Sequence, residues 1–94
     1  MTTRVQDLAH TLIGELIGLV VDSRVESESA FIAAELDDHS ISVDIYWGHG
    51  DVLHACLVGY RSDRLAGECD LRDPLASSLT AIARDLLTPE RARS

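Results

Sequence analysis

The sequence has no hydrophobic segment long enough to cross a membrane. Its longest uncharged apolar run covers residues 16–21, far short of the roughly 20 residues that a membrane helix requires. The N-terminus also has no basic stretch followed by an apolar segment and a small-residue cleavage site. We therefore expect a cytoplasmic protein that does not enter a membrane.

Proline and cysteine are both scarce, with 2 of each in 94 residues. Cys56 and Cys69 form neither a CxxC pair nor a dense disulfide framework, which is compatible with a reducing compartment. With 46% hydrophobic residues, the chain is too apolar for a disordered protein and too short for two cores. These properties predict one domain over residues 1–94.

Positive charge is also in short supply. There are 8 basic residues, all of them arginine, against 16 acidic residues, and the formal net charge is -8. Such a chain repels nucleic-acid phosphate and anionic lipid, so we expect no direct nucleic-acid partner.

The negative charge is concentrated between residues 22 and 44, where Arg24 is the only basic residue. The acidic residues of this segment are Asp22, Glu26, Glu28, Glu35, Asp37, Asp38 and Asp44. A strongly negative end of the molecule would speed association with a basic partner. The alternative is a solvated acidic loop that only aids solubility.

Two amphipathic helices are predicted, one on each side of a β-rich middle. Residues 3–6 form a capping box, and the apolar spacing that follows predicts a helix over residues 4–21. The Asp73-Pro74 pair supplies an N-cap and a first helical position, so a second helix begins there and ends at Thr88-Pro89.

Between the helices, apolar residues alternate with a period of two. Candidate turns separate four predicted strands, 30–36, 41–47, 52–60 and 65–71. The connection before them has room for a short strand around Val25. The expected fold class is α+β, with an N-terminal helix, a four-stranded antiparallel meander sheet and a C-terminal helix. Both helices should lie on one sheet face.

Simple hairpins at the three turns predict which side chains face outward. They place Phe31 opposite Tyr46 and Tyr46 opposite Leu53 on the outward face, and they direct His54 inward. In the same register Cys56 and Cys69 face each other, close enough for a disulfide under oxidation, although two small buried thiols are the simpler interpretation.

The predicted outward face carries apolar residues inside an acidic rim. Contiguous apolar surface on a small domain often marks an interface, here with a second copy of the chain or with a different protein. Cross-strand pairing that only stabilises the sheet is the remaining alternative. The predicted partner-binding residues are Phe31, Glu35, Asp37, Asp38, Asp44, Tyr46, Leu53 and Leu57.

Histidine and cysteine offer candidate chemistry, but no complete constellation. His39, His49 and His54 are ligand types for zinc, yet the predicted strands keep His39 and His49 at opposite ends of the second strand. Cys56 and His54 suit a thiol nucleophile with its base, but no third group orients them. We predict no metal and no cofactor.

Two further motifs fit turns better than active sites. The segment Gly48–Asp51 lacks the lysine and the following helix that give a phosphate loop its positive field. The adjacent Asp37 and Asp38 have no predicted cleft that would separate their pKa values for acid–base catalysis. We therefore predict that the protein is not an enzyme.

These observations favour a small acidic module that binds proteins. The expected function is that of an inhibitor, immunity-type protein or adaptor that docks a basic partner through its acidic segment and outward sheet face. A homodimer is also compatible with that face. The alternative function is a small enzyme, or a protein that binds metal or a small ligand through its histidines and cysteines.

Overall fold

Two helices flank an antiparallel sheet in an α+β fold, as the sequence predicts. The computed structural model describes residues 2–88. Its elements are α1 (Arg4–Glu15), β1 (Val20–Val25), β2 (Ser29–Leu36), β3 (His39–Trp47), a 3-10 turn (His49–Asp51), β4 (Leu53–Arg61), β5 (Arg64–Arg72) and α2 (Ala76–Leu87).

The sheet has five strands rather than the predicted four, and neighbouring strands follow the order of the chain from β1 to β5. The additional strand is β1, which covers the last two residues of the predicted helix over residues 4–21 and the connection around Val25. The capping box is confirmed, since the Thr3 hydroxyl accepts from the Gln6 N–H and the Gln6 side chain accepts from the Thr3 N–H. However, α1 ends at Glu15. Gly18 then adopts a φ of 90°, a left-handed conformation that glycine enters at little cost, and the chain turns back into β1.

The pairing of β3 with β4 differs from the prediction by one residue. Tyr46 lies opposite His54, and Trp47 lies opposite Leu53. Because side chains alternate along a strand, this difference reverses the face of every residue in β4. Leu53 and Leu57 are therefore in the core, with exposures of 1% and 0%, and their predicted outward orientation is wrong.

The cause of this reversal is the connection between β3 and β4. Five residues, 48–52, separate the paired residues Trp47 and Leu53, one more than the predicted hairpin contains. The Gly48 N–H donates to the Val52 carbonyl across this connection. The register that results buries two leucines instead of His54 and Cys56, which the hydrophobic effect favours.

The other two predicted registers also change. Phe31 pairs with Asp44 rather than with Tyr46, a shift that keeps both strands on their predicted faces. In the last hairpin an irregularity at Gly59/Tyr60 shifts the pairing, so that Cys56 lies opposite Asp70. Cys69 lies opposite Leu57 instead, and the predicted cross-strand cysteine pair is therefore wrong.

Beside the same irregularity, the face predicted for Leu65 is also wrong. Leu65 pairs with Tyr60 and is 61% exposed, although the sequence placed it in the core.

One hydrophobic cluster combines the buried residues of both helices with those of β2, β3 and β4. Helix α1 contacts β2 and α2, and α2 contacts β3 and β4. The buried residues are Val5, Leu8, Ala9, Leu12, Leu16, Ala30, Ile32, Ala34, Ile41, Val43, Ile45, Leu53, Ala55, Leu57, Leu79, Ala83 and Leu87. The placement of both helices on one sheet face remains a prediction.

Helix α2 begins later than the Asp73-Pro74 pair predicts. Its N-cap is Leu75, which makes no side-chain cap hydrogen bond. Asp73 instead has a φ of 51°, and its N–H donates to the Leu53 carbonyl. The helix ends at Leu87, and the Thr88 hydroxyl bonds to the Arg84 carbonyl. The predicted stop at Pro89 lies outside the described residues.

Candidate protein-docking face

The sheet face opposite the buried residues carries aromatic, thiol and carboxylate side chains in cross-strand rows. We call it the outer face. Its central row runs through all five strands as Arg24, Phe31, Asp44, Cys56 and Asp70. The neighbouring row consists of Ser29, Tyr46, His54 and Arg72. Two further rows contain Asp22, Ala33, Ser42, Val58 and Glu68, and Glu35, Ser40, Tyr60 and Leu65.

A groove of about 520 Å³ opens on this face toward the β1 side. Apolar ring and sulfur atoms share its lining with charged groups of both signs. Its lining residues are Arg24, Glu26, Ser29, Ala30, Phe31, Asp44, Ile45, Tyr46 and Cys56. Its volume lies within the range of small-ligand and side-chain pockets.

Tyr46 and His54 form a stacked pair beside the groove. Their ring centroids are 5.5 Å apart and their planes differ by 11°. His54 Nδ1 lies 3.8 Å from an Asp70 carboxylate oxygen and has no hydrogen-bond partner among residues 2–88. Tyr46 is 39% exposed, so part of its ring is available to another molecule.

The centre of the outer face is both partly desolvated and negative. The pKa of Tyr46 is raised, mainly by desolvation and then by the charges of Asp70, Cys56 and Asp44. The pKa of the Cys56 thiol is also raised, mainly by burial and then by the negative charges of Asp70, Asp44, Glu68 and Cys69. A thiol in such surroundings stays protonated near neutral pH, which disfavours its use as a nucleophile.

The Asp38 carboxylate, in the β2–β3 turn, is paired with other groups of the protein. One carboxylate oxygen of Asp38 lies 2.9 Å from His39 Nδ1, and the other lies 3.5 Å from Arg61 Nε. The Ser62 hydroxyl and the Ser62 N–H donate to the Asp38 carboxylate and carbonyl. Partial desolvation opposes the ionisation of Asp38. It is outweighed by the charge of His39, by hydrogen bonds from the backbone and from Ser62, and by the charge of Arg61, so the pKa of Asp38 is lowered. Asp37 in the same turn is exposed.

The structure brings only part of the predicted site together. Phe31, Asp44 and Tyr46 line the groove, and Glu35 lies at the far end of the outer face. Asp37 and Asp38 lie beyond that end, in the turn. Leu53 and Leu57 are buried, so their prediction as part of the docking surface is wrong. His54 and Cys56 take their place, and sequence reasoning missed both because it assigned β4 to the wrong face.

The histidines are dispersed. His39, predicted in a turn, is the first residue of β3 and is buried, whereas His54 lies on the outer face and His49 in the 3-10 turn. Within residues 2–88, no group of three or more His, Cys, Asp or Glu side chains is placed to hold a metal ion. None of the helices in this range is long and apolar enough to span a membrane.

Comparison with known proteins finds no relative, since no family model, curated protein or solved structure matches the chain. The chemistry of the outer face is therefore the guide to function.

Proposed function

We propose that this protein is a small, non-catalytic binding module that docks a basic partner protein on its outer face. The observation that supports it most is the central row, in which Asp44 and Asp70 alternate with the apolar Phe31 and Cys56. A surface that combines apolar contact area with carboxylates suits a partner that presents aliphatic stems ending in cationic groups. The protein is then one domain with both helices on the core face, so that the outer face stays open.

The sign of the charge favours a partner of opposite charge. Asp22, Glu35, Asp44, Glu68 and Asp70 lie on the outer face. The only arginines there are Arg24 and Arg72, within the described strands. Complementary potential steers a basic protein toward such a surface and disfavours wrong partners.

The same charge argues against a homodimer that stacks two outer faces. Such a dimer would bring the carboxylates of one copy, including Asp44 and Asp70, against those of the other. Like charges in an interface cost free energy, whereas a basic partner would neutralise them. A different protein is therefore the favoured occupant of this face.

The proposed biological role is to cover a basic surface of another protein. An inhibitor or immunity-type protein would do so at a groove rich in arginine and lysine, and an adaptor would do so to hold its partner in a complex. We place this activity in the cytoplasm, where the two free cysteines would stay reduced.

The test compares two double variants that remove equal charge. Asp44→Asn/Asp70→Asn removes two carboxylates from the outer face, while Asp51→Asn/Asp63→Asn removes two from turns, where the positive φ angles of 58° and 66° suit asparagine. Affinity for a short synthetic peptide rich in arginine and lysine is measured at low salt. We expect the outer-face variant to weaken binding at least several-fold more than the turn variant. Equal losses would reject the outer face as the docking site.

The groove also supports the second candidate, a protein that binds a small ligand, because His54 and Cys56 lie on the same face as a pocket of suitable volume. A thermal-shift series with divalent metals and nucleotides tests it. Concentration-dependent stabilisation by one compound would favour this candidate. An unchanged melting temperature throughout would count against it.

A further inference from the structure

The groove is lined by two aromatic rings, two carboxylates and one cationic side chain, that of Arg24, so its charge suits one further cationic side chain. The half-buried ring of Phe31 and the half-exposed ring of Tyr46 both line it. Asp44 neighbours both residues, since it pairs with Phe31 and is two residues from Tyr46 along β3. Glu26 adds a second carboxylate at the β1 side.

We propose that this groove anchors a single arginine side chain of the basic partner, an inference that rests on the proposed function. The guanidinium would stack on the exposed part of Tyr46 and pair with the Asp44 carboxylate. The aliphatic stem would then pack against Phe31. This contact would be the principal source of affinity within the larger acidic surface.

Arginine fits these groups better than lysine. A planar guanidinium stacks on an aromatic ring and can bond to a carboxylate through two N–H groups at once. A lysine ammonium is a compact, strongly hydrated point charge that gains less from a flat ring. Arginine is also among the residues that most often dominate protein–protein interfaces.

The surroundings of the groove strengthen such a contact. His54 stacks against Tyr46 and restricts the orientation of the ring that the arginine would meet. Asp70 lies one strand beyond Cys56 in the central row, so its negative charge adds to that of Asp44.

The experiment uses two synthetic peptides of identical length and charge, one with arginine and one with lysine at every basic position. Their dissociation constants are measured for the full chain by calorimetry, and the contacted amides are mapped by NMR. We expect the arginine peptide to bind on the order of tenfold more tightly. The largest shifts should fall on Phe31, Asp44 and Tyr46.

Tyr46→Leu and Asp44→Asn identify the cause of that preference, and Asp63→Asn is the charge-matched control for the second. Tyr46→Leu should reduce the arginine preference to within about twofold, because leucine offers no ring for stacking. Asp44→Asn should weaken the arginine peptide more than Asp63→Asn does. Circular dichroism confirms that each variant is folded before binding is compared.

The outcomes separate this inference from the proposed function. Equal affinity for both peptides, with binding still lost in the Asp44→Asn/Asp70→Asn variant, would overturn the arginine anchor and leave the basic-partner function standing. Binding that no outer-face variant weakens beyond its turn control would overturn both. A preference for arginine that survives Tyr46→Leu would also overturn the stacked anchor.

Discussion

Tyr46 and His54 lie directly opposite each other on β3 and β4, and their rings stack with centroids 5.5 Å apart. Stacked aromatic pairs contribute about 0.5–1.5 kcal/mol beyond the area that they bury. The pair therefore helps to hold the register that sends Leu53 into the core. It also joins the groove to Asp70, which lies beside His54.

Gly48 is required by this pair rather than by its own backbone. Its φ of -99° and ψ of -165° are open to any residue, but a Cβ there would lie 2.5 Å from His54 Cδ2. We expect Gly48→Ala to lower the free energy of unfolding by about 1–3 kcal/mol, as overpacking does. Urea denaturation measures the change.

The control for this prediction is the same substitution in a His54→Ala background. Removing the ring removes the clash, so most of the cost of Gly48→Ala should vanish there. An equal cost in both backgrounds would mean that the glycine is needed for another reason.

Asp38 should make stability depend on pH in the acidic range. The folded protein holds the pKa of this carboxyl below its ordinary value of 3.8, so the ionised form is stabilised by folding. That contribution is complete above the unfolded pKa and is lost as the pH falls through the lower folded pKa. The difference in free energy of unfolding between the wild type and Asp38→Asn should shrink as the pH falls below about 5.

Urea denaturation at several pH values tests this prediction, and Asp63→Asn in the neighbouring turn is the control. The control variant should follow the pH dependence of the wild type. If the difference for Asp38→Asn stays constant down to the most acidic pH at which the protein folds, the pairing with His39 and Arg61 contributes nothing.

Cys56 should react slowly with alkylating reagents. Burial and then the charge of Asp70 raise the pKa of its thiol, and the thiolate is the reactive form. In a Cys69→Ala background, iodoacetamide at mildly alkaline pH should modify the folded protein several-fold more slowly than the urea-unfolded protein. Mass spectrometry follows the reaction.

Asp70→Asn should accelerate that alkylation and Asp63→Asn should not, because only the first carboxylate neighbours the thiol. A thiol that reacts as fast in the folded protein as in urea would contradict the desolvated environment of Cys56.

Asp37 should affect the rate of partner binding more than the lifetime of the complex. It is exposed in the β2–β3 turn, away from the groove, so its charge would act at a distance. Asp37→Asn should lower the association rate of a basic peptide a few-fold at low salt and hardly at all at about 0.3 M salt. Stopped-flow fluorescence measures both rate constants.

The matched comparison is Asp51→Asn, which removes the same charge at the opposite end of the sheet, where Tyr46 lines the groove. Identical effects of the two variants on association would show that net charge alone, and not its concentration near the turn, sets the rate.

The sequence predicted the local elements well where one strong signal decided the outcome. The capping box at Thr3 located the start of α1, and the two-residue alternation located β2 and β3 with their correct faces. The stretch after Glu15 is ambiguous, because its leucine and valine residues fit a helix and a strand alike. Only the left-handed turn at Gly18 separates them.

The candidate site was predicted in part for the same reason. Phe31, Asp44 and Tyr46 belong to strands whose alternation is unambiguous, and they line one groove. Leu53 and Leu57 were assigned to the wrong face because the β3–β4 connection was predicted one residue too short. The greater apolarity of Leu53, Ala55 and Leu57 over His54 and Cys56 was the signal that could have corrected it.

The connection over residues 48–52 has a consequence for changes in chain length. A residue inserted there can be accommodated by a longer loop at little cost in free energy, and the pairing of Trp47 with Leu53 can persist. A tag engineered into this connection should therefore leave Leu53 and Leu57 in the core.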